Sequence, residues 1–276
     1  MPGTLTLVGT PLGNLSDFSP RAVEALKACD FIAAEDTRVS LALLNRFGIR
    51  KPLISYFEHN KRERGEQICR KLEEGQNAVL VTDAGMPAIS DPGEDLVALC
   101  HQRGIRVTVV PGPSAAITAL AVSGLPSARF TFEGFLPANR RERRAQLDAL
   151  QAEQRTMIFY EAPHKLTGTL EDLAAAFGDR RLCLARELTK LHEEIIHTTL
   201  QAAAAHYRET APRGEFVVIV EGAAPADALT ATPEQAAALA RTFMAEGMSA
   251  SEAAKTAASE TGLKKGDIYR LLIKDD

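Results

Sequence analysis

The chain has 276 residues, 45% of them hydrophobic and 25% charged, which fits one large or two ordinary globular domains and excludes a disordered or fibrous sequence. A net charge of −4 excludes a global nucleic-acid signature, so any RNA contact must come from local basic patches. The four cysteines, Cys29, Cys69, Cys100 and Cys183, form no CxxC pair and read as reduced thiols of a cytoplasmic protein; no signal peptide and no bilayer-spanning run is expected.

Residues 4–8 read as a first strand, followed by the loop Gly9-Thr10-Pro11-Leu12-Gly13-Asn14-Leu15. Ser19-Pro20 opens a helix to about residue 28, a cap followed by proline. Residues 31–34 are a second strand ending in Glu35-Asp36-Thr37-Arg38, and the helix after it stops at Gly48. Residues 52–55 are a third strand, 57–65 a charged loop and 66–74 a helix. The apolar run 78–81 reads as a buried parallel strand. Beyond it, Thr82-Asp83-Ala84-Gly85-Met86-Pro87-Ala88-Ile89-Ser90-Asp91-Pro92-Gly93 is a stiff polar loop. Within it Asp91 reads as a helix cap and Pro92 as the first helical residue, whereas Asp83 is a carboxylate at a strand tip, well placed for a ligand hydroxyl or amine. Residues 106–110 are a fifth strand ending in Pro111-Gly112-Pro113-Ser114, with Ser114 as cap of a small-residue helix over 115–122. This alternation predicts a parallel, doubly wound sheet. Five strand-end loops, at 9–13, 35–38, 59–62, 83–93 and 111–114, should then line one cleft.

A second unit begins near residue 129. Strands are expected at 130–135, 156–160, 181–185, 194–198 and 215–221, with helices at 146–153, 164–177 and 200–208. Fewer helices per strand predict a mixed sheet. Arg140, Arg141, Arg143 and Arg144 stand together against one Glu142. A linker at 222–227 precedes a helical tail. Its helices run from Thr232-Pro233 to Gly247, from the Ser249 cap to the stop at Gly262, and from the Asp267 cap to residue 274. They suit a helix-turn-helix or a packed helical cap; Lys264, Lys265, Arg270 and Lys274 favour nucleic acid. The expected division is an N-terminal α/β domain over 1–112, a second α/β domain over 113–224 and a helical tail over 228–276.

No G-x-G-x-x-G, Walker lysine motif or G-x-S-x-G elbow is present, and no His, Cys and carboxylate set has metal-ligand spacing. What remains is a strand-edge cleft of backbone, small residues and carboxylates. It suits a neutral or cationic adenosine-type ligand better than a polyphosphate.

Seven stretches in order carry a family resemblance. They are Gly9 to Leu15, Ala34-Glu35-Asp36-Thr37-Arg38, Thr82-Asp83-Ala84-Gly85 with Asp91-Pro92-Gly93, Pro111 to Ala115, Glu133-Gly134-Phe135-Leu136-Pro137, Phe159-Tyr160-Glu161, and Ala185-Arg186-Glu187-Leu188-Thr189-Lys190. Together the chain resembles the tetrapyrrole methylase superfamily, most closely its branch acting on small-subunit ribosomal RNA. The resemblance implies two α/β domains with S-adenosylmethionine in the cleft between them. It implies a cytidine of 16S rRNA, near the decoding centre, as the site of 2′-O-methylation, and a homodimer. By motif position it places the cofactor at Pro11, Leu12, Asp83, Ala84, Gly85, Met86, Ile89, Ser114, Ala115, Phe159, Tyr160, Ala185, Arg213 and Gly214; Met86 stands where the family pattern has threonine.

Methyl transfer needs in-line alignment, and a ribose hydroxyl needs a base or a cation to react. Glu35, Asp36, Arg38, Glu187 and Lys190 end strands on the cleft edge and are the candidates; the alternative is a salt-bridged rim between the domains. RNA would be met by Lys61, Arg62 and Arg64, by Arg140, Arg141, Arg143 and Arg144, and by Lys264 and Lys265, with His59 or Tyr56 stacking on a base; the alternative is solvated charged faces. Two other functions remain. A precorrin-type methyltransferase is disfavoured by the arginine run and basic tail, and a non-catalytic RNA-binding module by the retained cleft motifs.

Overall fold

The computed structural model describes residues 1–224, 232–245, 247–261 and 263–273. Part of the expected linker (225–227), the stop at Gly262 and Lys274 lie outside the described residues. The chain divides into two compact units, one of residues 1–151 and 155–221, the other of 152–154 and 222–276.

The first unit opens with β1 (Thr4–Val8), α1 (Pro20–Ala28), β2 (Phe31–Ala34), α2 (Thr37–Arg46), β3 (Leu53–Ser55), α3 (Lys61–Glu73), β4 (Ala78–Val81), α4 (Gly93–Gln102), β5 (Arg106–Val110) and α5 (Ala115–Val122). The five strands form an all-parallel sheet in the order β3-β2-β4-β1-β5. Side chains alternate across it. Phe31, Ala33, Ala78 and Leu80 pack with Ile68, Leu72, Leu96 and Cys100 of α3 and α4 on one face. Ile32, Ala34, Val79 and Val81 pack with Ala22, Leu26 and Leu44 of α1 and α2 on the other. Burial on both faces is why β2 and β4 read as unbroken apolar runs.

The sequence continues with β6 (Phe130–Phe135), α6 (Arg140–Leu150), β7 (Thr156–Glu161), α7 (Pro163–Phe177), β8 (Arg181–Arg186), β9 (Glu194–Thr199), α8 (Leu200–Glu209) and β10 (Phe216–Val220). The second sheet has the order β6-β7-β10-β8-β9. Only β6 and β7 pair in parallel; the other pairings are antiparallel, so the sheet is mixed as expected. Its outer face packs Met157, Phe159, Leu184 and Val218 against Leu147, Leu166, Leu170 and Tyr207 of α6, α7 and α8. Its other face packs Ile158, Cys183, Ala185 and Val217 against Ala116, Ala119 and Leu120 of α5. A helix that ends the first sheet's sequence therefore covers the second sheet.

Four helix starts differ from expectation. Helix α3 begins at Lys61, not residue 66, because a run of Lys, Arg and Glu is good helix former and not loop. Helix α6 begins at Arg140, not 146, because Asn139 accepts from the N–H groups of Arg141 and Glu142 and caps it. Pro92, not Asp91, holds the cap position of α4, whose first residue is Gly93. In the second unit, α9 (Pro233–Ala245), α10 (Ala250–Thr261) and α11 (Lys265–Ile273) form a separate core of Ala236, Ala240, Ala253, Ala257, Ile268 and Leu272. Asp267 lies inside the first turn of α11 and pairs with Arg270, so it is not the cap. Ser249 and Glu252 exchange hydrogen bonds in a capping box before α10.

Candidate active site

Three strand-end loops of the first sheet lock together backbone to backbone. A Cβ on Gly112 would stand 2.8 Å from Gly9 Cα, so only glycine permits this approach. Thr10 and Gly85 exchange two backbone hydrogen bonds of 2.9 and 3.1 Å, and Thr10 Oγ1 donates to the Thr82 carbonyl at 3.1 Å. Met86 Sδ accepts from Gly112 N at 3.2 Å, so this residue ties the β4 and β5 loops.

Asp91 organises the rest of the β4 loop. Its carboxylate accepts from the N–H groups of Ala88, Ile89 and Gly93 at 3.0, 3.2 and 2.8 Å. That holds Ala88 and Ser90 at φ of 68° and 64°. The other two non-glycine residues of positive φ among those described are Glu187 and Thr189, just after β8. Glu187 Oε1 accepts from Glu215 N and from Lys190 Nζ, each at 2.9 Å, and Lys190 Nζ also donates to Glu215 Oε2 at 3.0 Å. The backbone hydrogen bond from Glu215, then Lys190, holds the Glu187 carboxyl below its usual range. Burial lowers the Lys190 pKa, but its bonds to Glu187 and Glu215 outweigh that and leave it raised.

Between these loops lies a cleft of about 460 Å³. Of the expected cofactor residues, Leu12, Asp83, Ala84, Gly85, Met86, Ile89, Ser114, Ala115, Tyr160 and Ala185 line it. Ser114 holds the cap position of α5 but its side chain makes no cap hydrogen bond, so the reading of it as a working cap is corrected. Tyr160 Oη accepts from Ala116 N at 3.1 Å, and Phe132 and Phe135 meet its ring edge-on. Pro11 instead lines a smaller cavity of about 340 Å³ that shares Thr82 and Asp83. Phe159 is fully buried and its side chain belongs to the outer face of the second sheet, one residue out of phase with Tyr160. Arg213 and Gly214 stand beside the cleft. The Arg213 carbonyl accepts from Arg186 Nε, and a Cβ on Gly214 would strike Glu187.

Of the expected catalytic residues, Glu35 and Lys190 line the cleft. Glu35 Oε2 accepts from Thr82 Oγ1 at 2.5 Å. Glu187 does not line the cleft; its carboxylate holds the Lys190 ammonium. Asp36 and Arg38 form a rim pair at 2.6 Å with the Arg38 side chain 89% exposed. The hydrogen bond from Arg38 lowers the Asp36 pKa to about 2. Asp83 Oδ1 accepts from Asp36 N at 3.0 Å. Burial raises the Asp83 carboxyl above its usual range, with Glu35 and Asp36 adding to the shift.

Residues 59–62 do not line the cleft. Strand β3 is the outermost of the sheet, so the loop after it lies away from the β4 and β1 ends. Tyr56 is 2% exposed, with its hydroxyl donating to the Pro92 carbonyl, so it is a core residue and not a base-stacking one. His59 meets Phe57 edge-on. Lys61 pairs with Glu58 and Asp95, and Arg64 donates to Gln67, while Arg62 is exposed. Arg140, Arg141 and Arg144 are exposed and Arg143 is not. Lys264 and Lys265, both exposed, belong to the second unit, where Lys265 Nζ donates to Ser251. Ser90 and Asp91 line the cleft as part of the loop 83–93 expected there, whereas sequence reasoning missed Phe135, Glu161, Leu188, Glu215 and Val217 as lining residues. Glu161 was within reach, because it directly follows Tyr160 in a motif already singled out.

The cleft combines a small-residue, apolar lining with the carboxylates of Glu35, Asp83, Asp91, Glu161 and Glu215 and one cation, Lys190. This donor and acceptor set fits a cationic adenosine-type ligand: carboxylates for hydroxyls or an ammonium, and apolar surface for an aromatic base.

A family model described as tetrapyrrole (corrin/porphyrin) methylases matches residues 4–204. A second, described as the RsmI C-terminal HTH domain, matches residues 230–275. A protein from Synechocystis sp. called ribosomal RNA small subunit methyltransferase I is 47% identical over 273 residues, covering 99% of this chain and 98% of its own. A protein of the same name from Thermotoga maritima is 46% identical over 220 residues, covering 80% of this chain and 99% of its own. Among solved structures, the methyltransferase CobJ superposes with a TM-score of 0.62 at 23% identity, over 80% of this chain and 95% of its own, a likeness of fold alone.

Proposed function

We infer the function of this chain from the family it belongs to, the tetrapyrrole (corrin/porphyrin) methylases. It is a methyltransferase acting on ribosomal RNA of the small subunit, as its relatives are named. The donor is S-adenosylmethionine, and the acceptor is the 2′-oxygen of a cytidine in 16S rRNA. A homodimer working in the cytoplasm, where small subunits are assembled, completes the reading.

The observation that carries it is the cleft itself. One side offers Asp83 to Met86 and Ser114-Ala115, another Tyr160 and Ala185, and the Lys190 ammonium is held in its lining. S-adenosylmethionine supplies a methyl group activated on a positively charged sulfonium. Asp83, whose Oδ1 already takes Asp36 N–H, would hold the ribose hydroxyls of the donor with its second oxygen. Tyr160, Ala115 and Ala185 line the cleft and would supply apolar surface to the adenine and exclude water. Lys190, oriented by Glu187 and Glu215, would stabilise the negative charge that develops on the acceptor oxygen. Glu35, fixed by Thr82, would complement the sulfonium with its carboxylate.

Purified protein is incubated with methyl-labelled S-adenosylmethionine and small ribosomal subunits, naked 16S rRNA or a precorrin. Label in a cytidine ribose of subunit RNA is expected. Label only in the tetrapyrrole, or in none of the three, overturns the reading.

A further inference from the structure

The wall that lines the cleft on the second-sheet side has another cavity behind it. Phe135 and Pro163 line the cleft, and the next residue in each segment, Leu136 and His164, lines a cavity of about 840 Å³ between α6 and α7. Four permanent cations line this groove, Arg140, Arg143, Arg144 and Lys165, against two carboxylates, Asp148 and Asp172.

The cations differ in what holds them. Arg143 donates from Nε to Asp172 at 2.5 Å and from its guanidinium to Thr169 Oγ1 at 2.9 Å, and its side chain is 15% exposed. Thr169 in turn donates to Glu161 Oε2 at 2.5 Å, a carboxylate of the cleft wall that is 4% exposed. Arg143 therefore joins α6 to α7 and, through Thr169, to the cleft. Arg144 is 83% exposed and only 3.9 Å from Asp148, a contact that holds it weakly. Arg140 and Lys165 are exposed in the first turns of α6 and α7, where the helix dipoles add positive potential. Ala162, the cap residue of α7, makes no side-chain cap hydrogen bond.

We propose that this groove carries the sugar-phosphate backbone of the RNA strand leading to the cleft, with Arg140, Arg144 and Lys165 on its phosphates and Arg143 as the positioning residue of its wall. The proposal rests on the reading of the protein as an RNA methyltransferase. An open groove with exposed cations from two helix starts suits a polyanion; a small free anion would find no buried donor to enclose it. Continuity with the cleft through residues 135–136 and 163–164 puts the strand next to the place of reaction. The contacts are to phosphate, so they orient the strand without reading its sequence.

The test replaces Arg140, Arg144 and Lys165 together by Ala, with Lys27→Ala on α1 as a control for loss of one surface charge. Binding to a single-stranded RNA from the small subunit is measured between ~50 and ~200 mM salt. The triple variant should bind roughly 10- to 100-fold more weakly at ~100 mM, with a log–log salt slope flatter by about 2. Affinity for S-adenosylmethionine should be unchanged, and Lys27→Ala should match the parent. Equal RNA affinity and slope in triple variant and parent overturn the proposal. Should the triple variant not fold, the unaltered protein still decides. Saturating RNA should protect Lys165, but not Lys27, from amine acetylation, and an unprotected Lys165 overturns the proposal. Parent protein that binds RNA through this groove yet transfers no methyl to it would sink the assigned reaction and leave the groove standing.

Discussion

Asp83 illustrates how far one carboxylate departs from its surroundings in water. Burial raises its pKa, and Glu35 and Asp36 raise it further. A carboxyl with a raised folded-state pKa favours the fold most when protonated. Its contribution is present below the ordinary aspartate pKa and lost as pH rises through the folded value. Asp83→Asn keeps an oxygen for Asp36 N–H and removes the buried charge. The variant should melt at a higher temperature than the parent at pH ~7, with a smaller difference at pH ~4.5. Its affinity for S-adenosylmethionine should fall roughly 10-fold or more, the scale of a hydrogen bond to a charged group. An equal melting gain at both pH values in scanning calorimetry would remove burial as the cause.

At the scale of elements, the loops after β1, β4 and β5 behave as one body. Gly112 has no room for a side chain, because the nearest atoms are the Gly9 backbone and not a side chain that could swing away. Gly112→Ala should therefore cost about 1–3 kcal/mol in chemical denaturation and weaken cofactor binding with it, since Ser114 and Ala115 follow directly. A variant as stable as the parent would show that the Gly9–Gly112 approach is slack. The strands themselves were legible: 31–34, 78–81 and 106–110 stand where the apolar runs put them. The starts of α3 and α6 were not, because charged residues at 61–64 and 140–144 carry no hydrophobic period; the buried positions of α3 begin only at Gly65, and α6 buries Leu147 alone. The same blindness hid the role of Asp91. A helix start predicts a capping aspartate, and nothing local shows that its carboxylate also holds two left-handed residues at the edge of a cleft.

At the scale of the molecule, each unit has its own core. The Thermotoga maritima relative spans only 80% of this chain while using 99% of its own. A chain ending after residue 224 should keep its affinity for S-adenosylmethionine within about twofold, as measured by calorimetry; loss of binding would place the tail helices in the cofactor's site. The order β3-β2-β4-β1-β5 explains which loops share the cleft and why the loop after β3, at the sheet's outer edge, does not.

Element type, the parallel first sheet, the mixed second sheet and the ordered motifs of a methylase family were all present in local pattern. Strand burial, caps and glycine-proline loops are written in neighbouring residues, and the family motifs in short runs. What only the tertiary structure decided is which side chains meet. Phe159 and Tyr160 are adjacent in sequence, yet the pleat sends one into the core and the other into the cleft. Lys190 meets Glu215 across 25 residues, and Arg143 reaches Glu161 only through Thr169. Such pairings depend on strand order and register, which arise from packing distant segments together, so no window of sequence contains them.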